Sequence, residues 1–92
     1  MTGFETGLRV KLLYFAWVRQ KVGLSEEEFV APMGVHTVSD LIDALRAREP
    51  GYDEAFRDTA RLRCAVNQTH AGFDAALKSG DEVAFFPPVT GG

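Results

Sequence analysis

The sequence closes with an apolar segment that runs into prolines and glycines: Gly80-Asp81-Glu82-Val83-Ala84-Phe85-Phe86-Pro87-Pro88-Val89-Thr90-Gly91-Gly92. Its apolar residues alternate between two faces, which predicts a strand over residues 82–86. Two prolines then remove backbone donors and two glycines remove side chains, so neither a strand nor a helix continues. The stretch therefore predicts a folded domain whose last strand leads into a flexible tail, residues 87–92.

A second apolar segment lies near the start of the chain: Leu8-Arg9-Val10-Lys11-Leu12-Leu13-Tyr14-Phe15. Its β-branched and aromatic residues, together with partial alternation, predict a first strand over residues 8–15. Residues 16–22 can form two helical turns that end at Gly23, and residues 26–31 resemble an edge strand. The first third of the chain thus predicts a strand, a short helix and a second strand.

The clearest helix signal begins at Thr37, which can cap a helix with Asp40 three residues later, as in a capping box. The helix should present one apolar stripe, because four apolar residues follow at helical spacing. These are Val38, Leu41, Ile42 and Leu45. Pro50 and Gly51 predict the end of this helix, and residues 52–61 should be irregular or only briefly helical.

Between that helix and the last strand, residues 62–67 alternate and predict a third strand with Cys64 pointing inward. Residues 67–69 can turn the chain into a short strand over residues 71–73. The order is therefore strand, strand, helix, strand, short strand, strand, which is the order of β-grasp domains.

We accordingly predict an α+β fold: a mixed sheet of about five strands with one main helix packed on one face. The first and last strands should lie side by side and parallel in the middle of the sheet. Residues 1–7 would form a flexible N-terminal extension, residues 8–86 the folded domain and residues 87–92 the C-terminal Gly-Gly tail.

Composition limits the classes of function. A chain of 92 residues fits one domain, and its ten basic and thirteen acidic residues give a formal charge of -3, which does not attract nucleic acid. No apolar run approaches the roughly 20 residues of a membrane span, and residues 1–7 lack the basic stretch followed by an apolar one that is typical of a signal peptide. We expect a cytoplasmic protein with neither nucleic acid nor membrane as a partner.

Catalysis by side chains finds little support. His36 and His70 fall in predicted turns without a catalytic partner at motif spacing, and an inward Cys64 should be inert. A single cysteine offers no metal cluster, and the glycines match no phosphate-binding pattern. We therefore expect no bound metal and no bound cofactor.

The tail and the outward sheet face are better candidates. Gly91 and Gly92 give a narrow tip that accepts any backbone dihedral, and the six residues from Pro87 span at most about 20 Å, enough to enter a partner. The outward face collects Leu13, Phe15, Ala65, Ala84 and Phe86, and such an apolar patch usually marks a partner surface. Two alternatives stay open: the tail is merely frayed, or Phe56 or an N-terminal arm with Phe4 covers the face.

At these residues the chain resembles the molybdopterin synthase sulfur-carrier subunit family of ubiquitin-like β-grasp proteins, over residues 10–92. The resemblance is carried by three pieces of sequence. They are Phe15-Ala16 with Arg19 and Gly23, Ala65-Val66-Asn67-Gln68, and the closing run from Gly80 to Gly92. The chain departs from the family in the residues before Leu8 and in Trp17, for which we favour a packing role.

The resemblance implies that Gly92 is adenylated by an E1-like enzyme and converted to a thiocarboxylate by a sulfur donor, either a sulfurtransferase or a cysteine desulfurase. Sulfur would then pass to cyclic pyranopterin monophosphate, forming its dithiolene within the large synthase subunit of a heterotetramer. That subunit would supply side-chain catalysis, so the small chain is not an enzyme on its own. Gly91 would provide clearance, and the partner would contact Leu13, Phe15, Ala65, Phe86, Pro87, Pro88, Val89 and Thr90.

Three other readings remain open at this level. A related β-grasp carrier could deliver sulfur for thiamine, cysteine or tRNA thiolation, although the run from Phe85 to Thr90 favours the molybdopterin branch. A ubiquitin-like modifier would instead use Gly92 for an isopeptide bond to lysine. A plain interaction domain would not need its last two glycines.

Overall fold

The computed structural model describes residues 7–88, which contain a sheet of five strands. The strands are β1 (Arg9–Tyr14), β2 (Glu26–Val30), β3 (Arg63–Val66), β4 (Thr69–Ala71) and β5 (Glu82–Phe86). The helices are α1 (Ala16–Val22), α2 (Val38–Arg46) and α3 (Pro50–Phe56), followed by a 3₁₀ helix at Thr59–Arg61. The strands lie in the order β2-β1-β5-β3-β4. The predicted α+β, β-grasp architecture is confirmed.

Strands β1 and β5 pair in parallel at the centre of the sheet, as the sequence predicts, and the remaining pairs are antiparallel. The short strand begins two residues earlier than the sequence predicts, since β4 is Thr69–Ala71 rather than residues 71–73. The reason is the turn: Asn67 and Gln68 have φ of 51° and 70°, so they complete a tight hairpin turn of two residues.

Helix α2 begins with the predicted capping box. The Thr37 hydroxyl accepts a hydrogen bond from the Asp40 N–H at 3.1 Å, and the Asp40 carboxylate accepts from the Thr37 N–H at 3.2 Å. All four residues of the apolar stripe are buried. The helix therefore packs this stripe against one face of the sheet.

This helix ends before Pro50, and Pro50 has a different role from the one predicted. Helix α2 ends at Arg46, and Pro50 begins α3 instead of stopping α2. Proline suits a first helical turn because its missing N–H has no partner there in any case. Gly51 permits the close approach of α3 to α1, since a β-carbon at this position would overlap the carbonyl oxygen of Lys21.

An aromatic cluster forms the part of the core beneath β1 and β5. The Phe56 ring meets Phe85 edge-on at a centroid distance of 4.9 Å, and Tyr14 stacks on Phe85 at 6.5 Å. Cys64 is buried, as predicted from its inward register. In residues 7–88, no helix is both long and apolar enough to cross a membrane.

Glu27, on β2, connects the sheet to the helical layer. Its Oε2 accepts hydrogen bonds from the Tyr14 hydroxyl at 2.7 Å, the Tyr52 hydroxyl at 2.8 Å and Arg48 Nη1 at 2.9 Å. Burial alone raises the pKa of Glu27, but the donors outweigh it and hold this pKa below its ordinary value. Burial and the bond to Glu27 raise the pKa of Tyr52 to about 12. The cluster therefore keeps a carboxylate ionised inside the fold.

Candidate docking face and the origin of the tail

The outward face of the sheet carries a continuous row of apolar side chains. Leu13 on β1 pairs with Ala84 on β5, which in turn pairs with Ala65 on β3. The helices pack on the opposite face, so the row is open to a partner. Ala65 is nonetheless only 7% exposed, because a methyl group between two neighbouring strands offers little surface.

Two phenylalanines extend this row towards the end of β5. Phe86 is half-buried and meets the His70 ring edge-on at a centroid distance of 5.3 Å. Phe15 is 48% exposed, which makes it one of the exposed large apolar residues of the domain. We call Leu13, Phe15, Ala65, Ala84 and Phe86 the docking face.

Phe15 does not belong to β1, contrary to the sequence prediction. The strand ends at Tyr14, and Phe15 is the residue that precedes α1. Its backbone is still extended (φ -127°, ψ 152°) and its N–H donates to the Phe85 carbonyl at 3.1 Å, so it keeps the strand register. The extended backbone ends at Ala16, which has a φ of 56°. This left-handed conformation is unfavourable for an alanine by about 1 kcal/mol. Phe15 therefore stays beside the end of β5.

The tail originates at the end of the sheet where Phe15 and Phe86 lie. Pro87 and Pro88 follow the central strand β5 and are half-buried. Val89, Thr90, Gly91 and Gly92 lie outside the described residues, so their predicted roles stay predictions. Because β1 and β5 are parallel, the docking face and the origin of the tail lie at the same end of the molecule.

Phe56 does not cover the docking face. It lies in the core against Phe85, on the side of the sheet that holds the helices. This alternative from the sequence is therefore wrong, while Phe4 lies outside the described residues.

The polar residues considered for catalysis are dispersed. His36 is exposed in a loop, and His70 lies on β4 rather than in the predicted turn. Burial raises the pKa of the Cys64 thiol, which donates to the Ala71 carbonyl at 3.3 Å. Among residues 7–88, no three His, Cys, Asp or Glu side chains are grouped as metal ligands.

Asn67 and Asp81, which belong to two of the sequence segments that carry the family resemblance, contact each other. Asn67 Nδ2 donates to Asp81 Oδ1 at 3.0 Å, and Asn67 Oδ1 accepts from the Glu82 N–H at 3.0 Å. Burial alone raises the pKa of Asp81, but the Lys78 N–H and the Asn67 amide outweigh it and lower this pKa. These bonds fix the start of β5, and sequence reasoning did not identify them.

An open groove of about 600 Å³ lies between α1 and the segment from α3 to the 3₁₀ helix. Trp17 packs against the core here, as expected, and the Arg61 guanidinium lies 5.6 Å from its ring centroid. Lys21 pairs with Glu54 across the groove at 3.7 Å. The lining is mainly charged and exposed, which does not suit an apolar ligand.

Comparison with known proteins identifies close relatives. The chain is 46% identical over 83 residues to the molybdopterin synthase sulfur carrier subunit of Escherichia coli strain K12, covering 90% of this chain and 99% of that protein. It is 37% identical over 87 residues to the subunit of the same name from Chlamydomonas reinhardtii, covering 92% and 100%. It is also 41% identical over 64 residues to small archaeal modifier protein 1 of Haloferax volcanii, covering 64% and 74%.

Solved structures share the fold. The crystal structure of the Haloferax volcanii small archaeal modifier protein 1 superposes with a TM-score of 0.74 at 26% identity, covering 90% of this chain and all of that one. A complex of subunits 1 and 2 of the molybdopterin-converting factor from Helicobacter pylori 26695 contains a chain with a TM-score of 0.61 at 21% identity, covering 92% and 100%. The ThiS family model matches residues 12–92. The chain therefore belongs to the ThiS family and has the ubiquitin-like β-grasp fold of the molybdopterin synthase sulfur carrier subunits.

Proposed function

We propose that this chain is the sulfur carrier subunit of molybdopterin synthase and that the carboxylate of Gly92 is its working group. The main support is one geometric observation: an open apolar face lies beside the origin of a tail that ends in Gly91 and Gly92. The 46% identity to the Escherichia coli carrier subunit supports the same pathway. This function requires no bound cofactor, because the sulfur would be carried covalently as a thiocarboxylate on Gly92.

The chemistry starts from a carboxylate, which resists substitution. On an E1-like enzyme, the Gly92 carboxylate would attack the α-phosphorus of ATP and displace pyrophosphate, which leaves an acyl-adenylate whose leaving group is AMP. The donor's sulfur would then attack the acyl carbon and displace AMP. Where the donor is a persulfide, a thiol supplies the two electrons that cleave the sulfur–sulfur bond and release the thiocarboxylate.

The large subunit would bind the docking face and admit the tail. Docking would bury Leu13, Phe15 and Phe86, and would take residues 87–92 up to about 20 Å into the partner. Sulfur would then be transferred to cyclic pyranopterin monophosphate to build the dithiolene. General acids and bases would come from the large subunit, since dispersed His36, His70 and buried Cys64 cannot supply them.

Intact-mass spectrometry after incubation with the activating enzyme, ATP and a sulfur donor tests this proposal. Replacement of one oxygen by sulfur adds about 16 Da. A variant that lacks Gly92 is the matched control and should not gain this mass. A wild-type mass that stays unchanged with an active enzyme contradicts the carrier function.

A protein-modifier function is the second candidate, favoured by the 41% identity to the archaeal modifier. Here Gly92 would form an isopeptide bond with a lysine, and no sulfur transfer to a pterin would be needed. Conjugates of high molecular weight that disappear on deletion of Gly92 would support this candidate. Transfer of sulfur to the pterin in the presence of the large subunit would favour the first.

A further inference from the structure

Charged groups border the docking face unevenly. Leu13 pairs with Glu26 on the β2 side, and Ala65 pairs with His70 on the β4 side. Arg63 stands opposite Phe86, on the same side as His70. The apolar row is therefore bordered by a carboxylate along one edge and by basic side chains along the other.

Glu26 and Arg63 are exposed and have no salt bridge within residues 7–88. The Arg63 guanidinium donates to the carbonyl of Leu62 at 2.9 Å, which leaves further donors facing outward. Farther along the same sheet face, Arg9 lies 3.8 Å from Glu28. Lys11 stands opposite Glu82 in the register of the parallel strands, so residues of opposite charge are neighbours there.

His70 belongs to the basic border by position. It is exposed, and its ring lies edge-on to Phe86, so it continues the aromatic surface of the docking face. A neutral imidazole still presents one N–H donor. Arg63 and His70 thus offer neighbouring donors beside one aromatic ring.

We propose that this polarity orients the large subunit on the docking face. The partner surface would carry an apolar patch, a carboxylate facing Arg63 and His70, and a basic group facing Glu26. Orientation matters because the tail leaves at one end of the sheet and must point towards the partner's active site. A reversed arrangement would place like charges opposite each other, which costs affinity where water is excluded.

This inference rests on the proposed function, because its partner is the large synthase subunit. The test is a double substitution, Glu26→Arg with Arg63→Glu, which reverses the polarity and keeps the formal charge at -3. The control is Glu54→Arg on α3 with Arg57→Glu directly after α3, on the other side of the sheet. Affinity for the purified large subunit is measured by calorimetry at low and high salt, after circular dichroism has shown that each variant is folded.

We expect the polarity swap to weaken binding by about tenfold or more at low salt, with the difference shrinking as salt rises, because screened charges lose their effect. The control should stay within about twofold of wild type. If the swap variant does not fold, the single changes Glu26→Gln and Arg63→Gln should each weaken binding and reduce its salt dependence. Equal affinity of swap and control variants, or of both single variants and wild type, would overturn the inference.

A separate variant distinguishes the two proposals. Leu13→Gln removes an apolar contact without changing charge. If Leu13→Gln weakens binding and the polarity swap does not, the large subunit binds the docking face, but the charges of Glu26 and Arg63 do not orient it. If the wild-type chain does not bind the large subunit at all, the proposed function fails and the inference falls with it.

Discussion

At the scale of single residues, the carboxylate of Glu27 joins three separate parts of the chain. Tyr14 comes from β1, Tyr52 from α3 and Arg48 from the segment between α2 and α3. The Arg48 guanidinium also lies 4.3 Å from the centroid of the Tyr52 ring. The Glu27 side chain is only 13% exposed, so loss of its charge would leave these donors poorly satisfied.

We expect Glu27→Gln to reduce the free energy of unfolding by about 2 to 4 kcal/mol at neutral pH. The pKa of Glu27 is lower in the folded than in the unfolded state, so its stabilisation is complete above the ordinary value of 4.5. It is lost as pH falls through the folded-state pKa. Denaturant titrations at several pH values should therefore show the difference between wild type and variant shrinking in acid.

Glu28→Gln is the matched control for this prediction. Glu28 is the next residue on the same strand, but its side chain is exposed and its ion pair with Arg9 is long at 3.8 Å. Its substitution should change stability by less than about 0.5 kcal/mol. Equal effects of the two substitutions would contradict the role given to the Glu27 cluster.

At the scale of elements, local signals predicted the structure best where the residues involved are close in sequence. The capping box needs Thr37 and Asp40, which lie three positions apart, and Gly23 ends α1 in the left-handed conformation (φ 92°) as expected. The prediction for Pro50 is wrong because proline favours both the end of one helix and the start of another. Which of these occurs depends on whether the following residues can bury their side chains, as Tyr52 and Phe56 do.

We expect Thr37→Ala to destabilise the domain by about 1 kcal/mol, because the Asp40 N–H loses its acceptor at the start of α2. In a domain of this size, that change lowers Tm by about 4 to 8 °C. Thermal denaturation checks the prediction. Thr37→Ser keeps a hydroxyl at the same position and should retain most of the stability, whereas equal losses in both variants would assign the effect to the methyl group.

At the scale of the whole molecule, the two sheet faces differ in what covers them. One face packs the aromatic cluster and α2, which provides the core, while the other leaves Leu13, Ala84 and Phe86 free to contact a partner. Because the central strands are parallel, the open face and the origin of the tail share one end. Stability and docking should therefore be separable by mutation.

Leu13→Gln should weaken binding to the large subunit by about 10- to 100-fold, because a polar amide would replace an apolar contact in the interface. Its unfolding free energy should stay close to that of the wild type, since Leu13 faces away from the core. Val30→Gln is the control: Val30 is also apolar and outward-facing, but it lies on β2 opposite Arg9, outside the docking face. Binding experiments in which both variants behave alike would contradict the assignment of the face.

The sequence by itself determined the order of the strands, the capping of α2, the burial of Cys64 and the position at which β5 gives way to prolines and glycines. These features depend on alternation, capping and backbone chemistry among residues a few positions apart. Tertiary structure alone decided that three distant donors meet at Glu27, that Asn67 fixes the start of β5 through Asp81, and that Arg63 and His70 border Phe86. The physical reason is that these contacts join residues far apart in sequence, and strand pairing and register, rather than local preference, bring them together.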